Sequence, residues 1–89
     1  MRLIVREFLI SETRRIAVYS DTEIHPGQRG YVVLREQRKN KLNKWQRLTG
    51  GSLHTEKTKA IEEGEKSQKF YEAHPDSWLR PADLALGAK

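Results

Sequence analysis

Between Arg29 and Arg47 the chain carries seven cations, Arg29, Arg35, Arg38, Lys39, Lys41, Lys44 and Arg47, against one acid, Glu36. The run holds a formal +6 where the whole chain holds +5, so the remaining residues sum to −1. Positive charge gathered in this way neutralises phosphates and displaces their counterions, as nucleic-acid binders do. Arg35, Lys44 and Arg47 would lie on phosphates or fork onto a guanine edge, and Asn43 matches adenine in a major groove. Tyr31 and Trp45 offer rings on which unpaired bases stack. The plainer reading of the same residues is a solvated hairpin, with Trp45 as a core side chain.

Other chemistries have less to stand on. His25, His54 and His74 share no metal-ligand spacing with one another or with a carboxylate. A metal-independent ribonuclease would need a base, an acid and a cation around one phosphate, for which His25, His54, Arg47 and Tyr31 are the candidates. Nucleophile-elbow, P-loop and dinucleotide fingerprints are missing, so no enzyme and no cofactor are expected. The chain lacks cysteine, which removes disulfides and thiolate metal sites. No apolar run approaches the roughly 20 residues of a membrane span, and the start resembles no signal peptide, so a cytoplasmic location is the default.

The elements that must position the basic run are legible as patterns. Leu3–Ile10 reads as a strand apolar on both faces, hence central or covered on both sides. Ser11–Thr13 turns it into a second strand, Arg14–Ser20. Asp21–Gly30, with Pro26-Gly27 at its heart, reads as a loop. Tyr31–Gln37 forms a third strand, Arg38–Lys41 a hairpin tip, and Leu42–Thr49 the returning fourth strand. If Tyr31, Val33 and Arg35 share a face with Asn43, Trp45 and Arg47, that face mixes aromatics with cations. Should Trp45 point beneath the helix instead, Lys44 and Gln46 face solvent.

Gly50-Gly51 breaks that strand, and Thr55 or Ser52 is placed to cap a helix running to about Ala73, where His74-Pro75 stops it. One helical stripe collects Ala60, Gly64, Ser67 and Tyr71 beside Ile61, small enough for close approach to a sheet. Phe70 lies off that stripe and needs cover, which Trp78 in the tail could supply. Pro81-Ala82-Asp83 would open one short helical turn.

The run from Lys44 to Phe70, with Trp45, Gly51, Thr55 and Ala60, resembles the strand-to-helix half of the small arm-site DNA-binding domains at the front of phage and transposon integrases. In that family a basic sheet enters the major groove while the helix braces its back. The resemblance implies DNA near Arg35, Lys44 and Arg47. This chain differs in having an extra apolar hairpin before the basic one and a Thr-to-Ala spacing longer by a residue.

The expected fold is therefore α+β: a four-stranded, mainly antiparallel sheet of two hairpins, with one long helix on a face. Residues 1–74 would form the domain and 75–89 a tail packed on it or on a partner. The expected function is non-enzymatic binding of nucleic acid, DNA before RNA, by the 29–47 hairpin. The alternative is an interaction or inhibitor protein of a mobile element that docks the same hairpin on an acidic protein. A homodimer through residues 3–20 is a further expectation, and no membrane partner is expected.

Overall fold

The structure, a computed structural model, describes residues 2–25 and 28–87, and their side chains except those of 22–25, 28 and 85–87. Among the described residues, five strands, β1 (Arg2–Ser11), β2 (Arg14–His25), β3 (Gln28–Gln37), β4 (Gln46–Arg47) and β5 (Ser52–His54), precede the helix α1 (Lys57–Ala73). A 3₁₀ turn (Pro75–Ser77) and the short α2 (Pro81–Gly87) follow it. The sheet is antiparallel in the order β1-β2-β3-β4, and β5 also pairs with β3. The α+β architecture with one long helix on the sheet agrees with the sequence reading.

Three parts of the sheet depart from expectation. The expected 21–30 loop is mostly ladder, because β2 continues to His25 and pairs His25 with Gln28. The Pro26-Gly27 turn itself lies outside the described residues. The expected 42–49 strand shrinks to Gln46–Arg47, opposite Gln37 and Glu36. Asn40 explains the loss: its side-chain Oδ1 accepts the Leu42 N–H at 2.8 Å and its carbonyl accepts the Asn43 N–H at 3.1 Å. Those bonds turn the backbone where a strand would need it straight. Lastly, β1 is an edge strand, not a central one, with Leu3 61% exposed. It carries two irregularities, between Ile4 and Arg6 and between Leu9 and Ser11.

Gly50 (φ 80°) interrupts the edge beside β3, and pairing resumes at Ser52 opposite Val33. Gly51 (φ 148°) is pressed onto the sheet, since a Cβ there would stand 2.7 Å from Leu34 Cδ2. The chain thus breaks at the two glycines as expected, but adds β5 before the helix. The residue preceding α1 is Glu56, whose side chain makes no cap hydrogen bond, in place of the expected Thr55 or Ser52.

The helix packs as its stripe predicts. Ala60 and Gly64 are its buried residues, and a Cβ on Gly64 would meet Phe8 Cε2 at 2.7 Å and Val18 Cγ2 at 3.1 Å. Phe8, Ile16, Val18, Val33, Leu48, Ala60 and Trp78 form the core on this side of the sheet. Trp78, 1% exposed, packs edge-on against Tyr71 with ring centroids 5.1 Å apart, and not against Phe70. Phe70 stays half exposed beside Tyr71 and His74. Trp78 thereby packs the tail segment that carries it against the core.

Candidate nucleic-acid interface

Six of the seven cations of the basic run end up in three different places, and Arg29 lies apart from them. Alternation along β3 puts Tyr31, Val33 and Arg35 on the face that α1 covers. Tyr31 packs at the margin of the core, opposite His54 of β5, and His54 Nε2 lies 2.7 Å from Glu63 Oε1 of α1. Arg35 is 7% exposed. It donates to the carbonyls of Trp78 and of Thr49, the latter at 2.8 Å, and its Nη2 sits 2.9 Å from Asp83 Oδ2. A guanidinium consumed in this way is closed to a phosphate. Arg35 thus takes a buried structural place instead of the exposed one expected of a DNA contact, and Tyr31 is half-buried against the core.

Asp83 is the counterpart that the sequence did not single out. It also accepts from Thr49 N and Thr49 Oγ1, both at 2.6 Å, and from Arg80 N at 2.8 Å. Burial would raise its pKa, but the Thr49 hydroxyl, the two backbone N–H groups and Arg35 together hold it well below the usual carboxylate range. Asp83 thereby ties α2, the Thr49 segment and β3 into one knot. The clue in the sequence was slight, an acid two residues after Pro81 in a short helix.

The second place is the sheet face opposite α1. Arg15 Nε donates to Glu36 Oε1 at 2.8 Å, Tyr19 Oη to Glu36 Oε2 at 2.6 Å, and Arg15 also pairs with Glu7. Burial and the hydrogen bond to Glu36 push the Tyr19 phenol up to about 12. Trp45 adjoins this network, with the Arg15 guanidinium carbon 4.5 Å and that of Arg38 4.0 Å from its ring centre. Trp45 therefore lies away from the helix, and its ring is already occupied by cations. Arg47, opposite Glu36, belongs to this face too, so the expected grouping with Tyr31, Val33 and Arg35 does not form.

The third place is the loop 38–45, with Arg47 just beyond it. Arg38 anchors its root: its N–H donates to Thr13 O at 3.0 Å and its Nε to Glu12 O at 2.9 Å. Its Nη1 reaches Lys41 O at 3.4 Å. The Trp45 stack holds the other root. Lys39, Lys41, Asn43, Lys44 and Arg47 are all exposed. Arg29 is exposed as well but stands at the opposite end of β3, about 30 Å away along an extended strand. The basic surface is thus one clamped loop, narrower than the 29–47 hairpin expected.

The ribonuclease grouping does not assemble. Arg47 and the His54–Tyr31 pair lie on opposite faces of the sheet, and the side chain of His25 lies outside the described residues. Among the described residues no three or more His, Asp or Glu side chains gather to hold a metal ion, and no helix is long and apolar enough to cross a membrane. No family model, curated protein or solved structure matches this chain.

Proposed function

We propose that this protein is a small, non-enzymatic nucleic-acid-binding domain that grips the phosphate backbone of double-stranded DNA with the 38–47 segment. What supports the reading above all is that Lys39, Lys41 and Lys44 are exposed on a loop whose two roots are fixed by hydrogen bonds and a cation–π stack, with Arg47 exposed on the short strand that follows. Cations held on a fixed loop lose less freedom on binding than cations on a mobile tail. Duplex is favoured over single strand because Tyr31 and Trp45, the rings that would stack on unpaired bases, are already packed.

The test is fluorescence anisotropy with labelled duplex DNA, single-stranded DNA and RNA at low salt, repeated as salt is raised. The expected result is binding to duplex that weakens steeply with salt. Failure of all three nucleic acids to bind at low salt, with retention on an acidic protein that survives nuclease treatment, would overturn it in favour of a protein partner.

A further inference from the structure

Leu42 stands at the apex of the basic loop and is 90% exposed, more than any other large apolar side chain described. Single exposed leucines are ordinary on protein surfaces. This one differs in its setting. The other exposed large apolar residues, such as Leu53 at 63%, Leu3 at 61% and Leu84 at 58%, lie within strands or helices. Leu42 is lifted away from the body by the Asn40 turn, with the loop clamped at Arg38 and Trp45. Lys41 and Asn43 flank it directly, and Lys39 and Lys44 stand just beyond. An apolar tip ringed by cations and carried on a fixed loop suits a target that is anionic outside and apolar within.

We infer that Leu42 is a wedge that enters the minor groove of duplex DNA and inserts at a base step, opening the stack and bending the helix. This rests on the DNA-binding reading above and specifies how that site works. Base faces form the apolar interior of DNA, and a leucine pushed between two of them replaces base stacking with side-chain packing. The exposed lysines on either side of the tip would reach the phosphates on the walls of the groove, which is only about 6 Å wide. Asn43 carries an amide donor suited to the adenine N3 and thymine O2 acceptors on the groove floor. Insertion costs unstacking energy, least at flexible pyrimidine–purine steps, so the bend should favour a TA step.

The experiment uses the full chain and a duplex of about 20–30 base pairs with a central TA step. Donor and acceptor dyes mark its ends, and a parallel duplex carries 2-aminopurine at that step. The parent protein is expected to bring the dyes closer and raise the 2-aminopurine fluorescence. Leu42→Ala should abolish both signals, lower affinity by about tenfold or less, and leave the salt dependence unchanged, since no charge is removed. Binding of the parent without bending or unstacking, or bending that persists in Leu42→Ala, would overturn the wedge and leave the DNA reading intact. No binding to duplex at all would overturn both. Leu42-dependent binding to phosphatidylserine vesicles by a parent that leaves DNA straight would reassign the tip to a lipid surface and also overturn the wedge.

Discussion

Arg35 and Lys41 belong to one basic run six residues apart, and the fold uses them in opposite ways. Arg35 is enclosed under the tail, with Asp83 and two carbonyls as partners. Lys41 is exposed on a loop that leaves its charge to solvent. A count of charges treats the two as equals. Burial separates them, because an enclosed guanidinium must be matched inside the protein, whereas a surface ammonium keeps its water and can give it up to a phosphate.

The contrast breaks most visibly at the knot. Asp83→Ala should cost about 3–5 kcal/mol in urea unfolding, because Arg35 is left buried without its counter-charge. Replacing both partners, Arg35→Met with Asp83→Leu, should recover only part of that loss. The N–H groups of Thr49 and Arg80 still lack the acceptor that Asp83 supplied. Full recovery would mean that the ion pair, and not the wider knot, fixes the tail.

A smaller effect is expected where the helix meets the sheet. Gly64→Val drives side-chain atoms toward Phe8 and Val18 and should cost about 1–3 kcal/mol. A neutral result would show that α1 can shift outward without penalty.

Asp83 is held below the unfolded carboxylate value, so its contribution is full above about pH 4 and fades as pH falls through its folded value. The acid limb of the stability curve should flatten in Asp83→Asn. Tyr19 is shifted the other way, up to about 12, so its contribution is full below about pH 10 and is lost as pH rises toward 12. Tyr19→Phe should flatten the alkaline limb by a lesser amount, since the phenol is only partly enclosed.

Much of the fold was legible because it rests on local signals. The small stripe at Ala60 and Gly64, the stop at His74-Pro75 and the break at Gly50-Gly51 are each written within a few residues. The misreadings share a different cause. Arg35 looked like a surface cation because its partner lies 48 positions later, beyond any local pattern. Strand alternation leaves two faces open to Trp45, and alternation has no meaning in a loop that Asn40 has turned. The length of the β2–β3 ladder depends on a register that composition does not encode. The candidate site was therefore visible as a concentration of charge, but which charges remain free was decided by packing across the fold.

On the DNA-binding proposal, stability and binding rest on separate members of the basic run, a separation that can be measured. It is tested most directly by the salt dependence of duplex affinity in a variant with Lys39, Lys41, Lys44 and Arg47 all changed to Ala. Each cation is exposed, so the unfolding free energy should stay within about 0.5 kcal/mol per site. The slope of log affinity against log salt should become shallower by as much as about 3–4, since each phosphate left without its cation keeps its own counterion. A variant that stays folded and keeps the parental slope would contradict the account.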